Sequence, residues 1–522
     1  MSAFVTDQFR ILNAGSFVES ISNNSYYAFL GLSNPTGPTN DVGDPAFGRD
    51  PNWNTSTTNN PVDNFQYLSH YRDTSLFGKK ITSENARRVI RKVEWVANTP
   101  YDMYRHDYRQ GNETPVSKTV RLYDANYYVL TSEFKVYICI DNGSSTPDGN
   151  DPTVTGSTIE PTQTDVEPSV VGSDGYRWKY LFSISPSDVI KFDSTEYITV
   201  PNDWLTTTDS SIQTIREGGN SDTNNNQIKA VYIEDGGSGY NSGWSTADIL
   251  GDGTGGKVSI TADSEGTITD VTVTNGGKGY TYGILNLPAT GNPAKLIPII
   301  PPSKGHGYNI YEELGTDKVL MYARFDDSTK DFPIDTKFAQ VGIIKNPETF
   351  SGAGVTFTGN TFSSLSGIGL SESRDVNIGE VITQDQGADG IAKGYVASFD
   401  KDTKVLKYYQ DRSLCFGNKV DQTLSNSTKN IIPFISGNNP PPISFTEGPN
   451  PSTGSANINT LLDNTSVVVV NNKQINLGVN FTNGLANPEI NKKTGDIIYI
   501  DNRPIVERDS RQKEDIKIIL EF

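Results

Sequence analysis

From Gly175 to Ile184, the residues Tyr176, Trp178, Tyr180 and Phe182 alternate with Arg177, Lys179, Leu181 and Ser183. A period of two belongs to a β-strand and to no helix. The chain has 522 residues, about three domains' worth, which is ample to bury a sizeable core. Only 34% of residues are apolar, yet 10% are aromatic, and disordered chains lack aromatics. The chain therefore folds, and its polarity belongs to long loops and solvent-facing sheet surfaces.

Charge narrows the function. Charged residues make up 20% and the net charge is −18, which argues against a protein held on nucleic acid by phosphate contacts. An anionic membrane leaflet would repel it as well. No apolar run reaches the ~20 residues needed to span a bilayer. The start, MSAFVTDQFR, has an acid and neither a basic nor an apolar segment, so no signal peptide is expected. Two cysteines, Cys139 and Cys415, make no disulfide framework and fit a reducing cytoplasm.

Read along the chain, residues 5–22 predict a helix capped by Thr6 or Asp7, with Phe9, Leu12, Phe17 and Ile21 roughly on one face. Tyr26 to Leu32 predicts a buried strand, followed by a polar loop over 33–60. A second helix is expected over 61–77 with Gly78 just past its end, and a short one over 84–91 capped by Ser83. Strand-like runs follow at 120–128 and 134–140, then a long polar loop over 142–173. Residues 218–226 read as a flexible joint. Beyond it, Val231 to Tyr240 recurs as Val271 to Tyr280, each copy a short strand and a Gly-Gly-x-Gly-Tyr turn. Two copies are too few for a solenoid, so 227–290 reads as one small β module of two similar halves, with a Pro-rich exit at 298–302. Strands are expected around 379–382, 394–399 and 404–409. The run Val467 to Val470 should be a covered strand, since an exposed tetra-valine invites aggregation. The end reads as a hairpin: Ile497 to Ile500, a turn at Asp501 to Pro504, and a last strand with Ile516, Ile518, Leu520 and Phe522 on one face.

Chemistry is sparse. The three histidines, His70, His106 and His306, lack metal-ligand spacing, and each reads as a surface or packing residue. Gly251 to Lys257 spells part of a phosphate-binding loop. Val258 stands where that loop needs a hydroxyl, and a strand-like run follows where it needs a helix, so a tight turn is the better reading. Asp141, Asn142, Asp148 and Asp151 offer oxygens for Ca²⁺ without an EF-hand spacing, and fit an exposed Asx-turn loop better. Glu94 with Asp102, or Asp326 with Asp327, would need a cleft geometry to act as a glycosidase pair. The rings of Tyr240, Trp244, Tyr280 and Tyr282 suit stacking on a sugar or a protein partner, or packing inside the module, and the sequence leaves both open. No catalytic, metal-binding or cofactor-binding residue is assigned. These features describe a large, acidic, β-rich, non-enzymatic protein, either an assembly component or a binding module.

Several segments, in order, resemble one family. They are Phe4 to Arg10, Val89 to Trp95, Asp174 to Phe182, Glu196 to Pro201, Phe338 to Pro347 and Gly495 to Pro504. Together they resemble the baseplate wedge subunit that gene eight encodes in T-even-like contractile-tailed phages, with Asp174 to Phe182 the most specific match. The chain is longer than the family's pattern at about 227–295 and 350–490. The resemblance implies a layered β-sandwich body with a few helices on long loops; with the two regions outside the family's pattern read as inserted small β modules, the expected fold is mainly β. It implies body segments at 1–220 and 298–349, insertions at 221–297 and 350–490, and a completing C-terminal hairpin at 491–522. It also implies a structural virion protein of the tail baseplate, assembled in the host cytoplasm, a homodimer contacting other wedge proteins, with no cofactor, nucleic acid or membrane. The alternative is a receptor- or carbohydrate-binding tail protein.

Overall fold

A computed structural model describes residues 4–32, 60–61, 63, 65–144, 153–218, 227–240, 244–326, 336–352, 354–410, 432–447, 451–507 and 512–522. The loop at 33–60 is almost wholly outside these, as are the joint at 219–226 and Cys415, Asp148, Asp151 and Asp327. The chain is mainly β, with 27 strands and five α-helices among the described residues. Many of its neighbouring strands pair antiparallel. It divides into two compact units that cut across the boundaries expected from the sequence. The first comprises 1–18, 86–320 and 518–522, and the second 19–85 and 321–517.

In the first unit, strands Tyr128–Leu130, Lys135–Asp141 and Arg177–Ser183 form a three-stranded meander. The alternating segment is its third strand, but both of its faces are covered. Trp178, Lys179, Leu181 and Phe182 are all buried, because a bulge opposite Val136/Tyr137 breaks the period. The core here is aromatic: Tyr127, Tyr128, Tyr137, Tyr176, Trp178 and Trp204 are at most 3% exposed. Tyr176 and Trp178 stack at 5.5 Å, with Tyr101 edge-on to both.

The expected helix over 84–91 is a short 3₁₀ turn, Ser83–Asn85, followed by the strand Ala86–Arg91. Ser83 and Glu84 imitate a helix start, but β-branched Val89 and Ile90 pair with Thr199 and Ile198 of strand Tyr197–Val200. The first helix, Asp7–Asn23, forms as expected, with Thr6 accepting from the Phe9 N–H at 3.3 Å. Its buried stripe is Ile11, Ala14, Val18 and Ile21, while Phe9 and Leu12 are 54% and 65% exposed. The sequence carries two apolar stripes, and only the one with regular 3-4-3 spacing faces the protein.

The repeat is real in three dimensions. Strand Val231–Asp235 pairs with Lys295–Pro298. Ile268–Asn275, Lys257–Ala262, Thr246–Gly251 and Gly283–Leu285 follow one another in a four-stranded sheet. Equivalent residues of the two copies exchange bonds: Ile228 N–H donates to Gly276 O at 3.1 Å, and Ile268 N–H to Gly236 O at 3.0 Å. In each turn a side-chain oxygen, of Asp235 or Asn275, accepts the N–H of Gly237 or Gly277. Those glycines sit at φ +62° and +60°, and a Cβ there would lie within 2.7 Å of backbone atoms. The module is not merely appended, because Ala230 and Tyr232 belong to the aromatic core and Arg105 lies over the Tyr232 ring.

In the second unit, a five-stranded sheet runs in the order Thr361–Ser363, Ser75–Ile81, Tyr26–Gly31, Lys337–Lys345, Asp496–Glu507. The helix expected over 61–77 is shorter, Phe65–Thr74, and the chain then turns into strand. Gly78 ends no helix: it lies inside that strand, where a Cβ would strike the Phe362 ring at 2.2 Å. Pro504 does not mark a turn either, because Asp496–Glu507 is one strand at the sheet edge, where a missing N–H is tolerated. The final strand, Lys513–Glu521, lies in a different sheet, beside Lys318–Asp326, so the expected terminal hairpin is absent. Of its four apolar residues only Ile518 is fully buried.

The strands expected at 379–382, 394–399 and 404–409 are Val381–Asp385, Ile391–Asp400 and Val405–Tyr409, consecutive in a nine-stranded sheet. Strand Thr465–Val470 ends that sheet and is only partly covered: Val468 packs against a small core that includes Phe481, whereas Val469 is 66% exposed. Its edge is blunted locally. The Thr465 hydroxyl accepts the Val467 N–H at 3.1 Å and donates to the Val467 carbonyl at 3.0 Å. Asn471 and Asn472, both at positive φ, supply the two-residue hairpin turn.

Candidate functional site

Among the four rings singled out in the sequence, Tyr240 and Tyr280 are 2% and 3% exposed. The Tyr240 hydroxyl accepts the Ala294 N–H at 2.9 Å. The Tyr280 hydroxyl accepts the Gly256 N–H at 3.0 Å and donates to Ile249 O at 2.8 Å. Both rings pack inside the module and present no face to a sugar or partner, which corrects that expectation for these two. Trp244 is half-buried against Tyr240 at 6.0 Å, and Tyr282 is exposed.

The phosphate-loop fragment is a hairpin turn. Gly251 ends one strand, Lys257 begins its antiparallel partner, and Thr254 exchanges backbone bonds with Lys278. Asp141 accepts the Gly143 N–H at 2.9 Å in an Asx turn, and burial raises its carboxyl pKa. Asp102 is fully buried with one oxygen on the Val116 N–H and the other on the Ser117 N–H, so it pairs with no second acid. Among the described residues no three His, Cys, Asp or Glu side chains gather as a metal site. Cys139 is buried, which pushes its thiol pKa up and makes it a poor nucleophile.

Two charged clusters escape a reading by spacing. In the interior of the first unit, His306 Nδ1 lies 2.6 Å from Glu313 Oε1, and Glu313 Oε2 accepts the Gly307 N–H at 2.7 Å. Tyr104 closes on the imidazole edge-on at 4.8 Å. Nearby, Lys179 is 1% exposed and donates to the Val166 carbonyl, while Lys229 holds Glu167 at 2.6 Å. Burial, assisted by Lys229, lowers the Lys179 pKa to about 8. A lysine depressed on folding costs stability below its folded pKa, and the cost disappears as pH rises toward the unfolded value of 10.5. Unfolding free energy should therefore rise between about pH 8 and 10.5, by on the order of 3 kcal/mol from this group. Hydrogen-exchange protection of the Arg177–Ser183 strand, corrected for the intrinsic exchange rate at each pH, should show the rise in the wild type and a much flatter profile in Lys179→Met.

The second cluster lines a cleft of about 390 Å³ in the first unit, drawn from the start of the first helix, both strands of the Ala86–Arg91 pair, the 121–128 segment, the 314–318 loop and Glu521. Arg121 pairs with Asp7 at 2.5 Å and Asp124 at 3.6 Å. Lys318 pairs with Asp317 at 2.8 Å and Glu521 at 3.2 Å, and although burial works against its charge these carboxylates raise its pKa. Lys92 is raised by Glu94 and Asp193. Arg91 donates to the carbonyls of Asp124 and Ala125 at 3.1 and 2.8 Å. Gly315, at φ +66°, lets the Tyr123 ring close over the loop, where a Cβ would be 2.6 Å from it. Five cations and five acids line the cleft, and most of them pair with one another. Compared with known proteins, the chain matches no family model and no curated sequence.

Proposed function

We propose that this chain is a structural virion protein of a phage tail baseplate wedge, joining neighbouring subunits during baseplate assembly and during the rearrangement that precedes sheath contraction. The observation that carries the reading is the ordered set of segments resembling the wedge subunit family. Five of the six coincide with framework strands. In the first unit, Val89 to Trp95 overlaps strand Ala86–Arg91, which pairs with the Tyr197–Val200 strand of another matched segment, and Asp174 to Phe182 overlaps Arg177–Ser183. In the second, Phe338 to Pro347 and Gly495 to Pro504 supply the paired strands Lys337–Lys345 and Asp496–Glu507. A resemblance carried by residues that pair across long sequence separations is a resemblance of scaffold rather than of scattered loops.

The mechanism is mechanical. Contacts between subunits are exchanged between two baseplate states, with no bond chemistry in this chain. Symmetric self-association is the common outcome for such proteins, and we propose a homodimer that contacts other wedge proteins. Light scattering on the purified protein, together with co-purification alongside the other wedge proteins of the same phage, tests this. A dimer that enters a stable wedge complex is expected, and a strict monomer that joins no wedge protein would oppose it.

A further inference from the structure

The cleft of the first unit leaves two guanidinium groups without a carboxylate partner among the described residues. Five cations line it. Lys92, Arg121 and Lys318 each hold a carboxylate, whereas Arg10 and Arg91 hold none among the described residues. On the acidic side, Asp7, Asp124, Asp317 and Glu521 are all engaged, and Glu196 makes no ion pair among the described residues.

We infer that this cleft is a binding site for a carboxylate-bearing ligand, gripped by Arg10 and Arg91. A guanidinium is a planar fork matched to a carboxylate, and its charge persists at any physiological pH. One Arg91 nitrogen is tied to two backbone carbonyls, which orients the plane and leaves its other donors available. The aromatic walls are held in place: the Tyr123 hydroxyl donates to Glu312 O at 2.6 Å and the Tyr128 hydroxyl to Arg91 O at 2.7 Å. A volume of about 390 Å³ lies within the range of small-ligand pockets. The five acids in the lining disfavour a phosphate or polyanion and favour a group with one negative charge at each guanidinium. The source is either a free small dicarboxylate or an acidic side chain of a peptide, and the inference does not depend on the assembly role.

The test uses the full chain and two probes: succinate by titration calorimetry, and a fluorescein-labelled peptide of alternating glycine and glutamate by anisotropy. Saturable binding of at least one is expected, weakened about tenfold or more in the double variant Arg10→Gln/Arg91→Gln. Arg503→Gln, an exposed arginine of the second unit, should bind as the wild type does. The single variant Arg10→Gln removes a side chain that makes no bond among the described residues, so it keeps the test valid if the double variant misfolds. Binding of the peptide alone assigns the peptide source, and binding of succinate alone assigns the free ligand. No saturable binding of either, or binding that the variants retain, overturns the inference.

Discussion

Ending the chain after Arg511 should give insoluble protein. The deletion removes strand Lys513–Glu521, which lies beside Lys318–Asp326. Within the second unit it deletes Asp515, which Arg324 holds through two bonds of 2.6 and 2.8 Å and to which the Tyr322 hydroxyl donates. Within the first it deletes Ile518, the Phe522 ring 5.4 Å from Phe17, and the bond from Phe522 N–H to Asp317 O. One buried isoleucine is worth roughly 1.5–3 kcal/mol, and the half-buried Ile516, Ile519, Leu520 and Phe522 add part of that each. With ladder bonds at about 1 kcal/mol apiece, the loss is comparable to the 5–15 kcal/mol that holds a domain together. The bared edge of Lys318–Asp326 would then invite aggregation. The soluble fraction and the circular dichroism of the truncated chain measure this. A soluble, cooperatively folding product would remove the strand from its structural role.

Trp204→Ala should be the most damaging single substitution in the first unit. The side chain is 1% exposed, and its indole N–H donates to Gly307 O at 3.0 Å and Tyr308 O at 3.2 Å. Its backbone is held as well, the N–H by the Tyr311 hydroxyl and the carbonyl by Arg216. The cavity costs about 3–5 kcal/mol, and the orphaned carbonyls add roughly 1–3 kcal/mol. Trp204→Phe keeps most of the volume and should lose mainly the second part. Hydrogen exchange over 127–141 is the readout, because the multi-unit chain is not expected to unfold in two states. Protection should fall in the order wild type, Trp204→Phe, Trp204→Ala.

Local chemistry was the legible part of the sequence. The Arg177–Ser183 strand and the two Gly-Gly-x-Gly-Tyr turns announce themselves, the first by alternation and the second because positive φ demands glycine. Misreadings arose where a local signal had a distant competitor. Ser83 and Glu84 spell a helix start, yet Val89 and Ile90 have a strand partner more than a hundred residues away. Pro504 spells a turn, but an edge strand tolerates it. Phe9 and Leu12 were as apolar as the stripe that became buried, and only tertiary packing chose between them. The cleft was invisible for a related reason. Its charges come from segments scattered from Asp7 to Glu521, and no spacing rule links them. His306 and Glu313 were close enough in sequence to notice, but one turn of chain says nothing about burial.

The most direct measurement is the position of the chain in the virion. Gold labelling of purified contractile tails with an antibody against the exposed face of the 244–290 module should mark the baseplate. Particles made without the chain should lack an assembled baseplate. Label on fibres or on the sheath, or normal baseplates formed in its absence, would contradict the proposal.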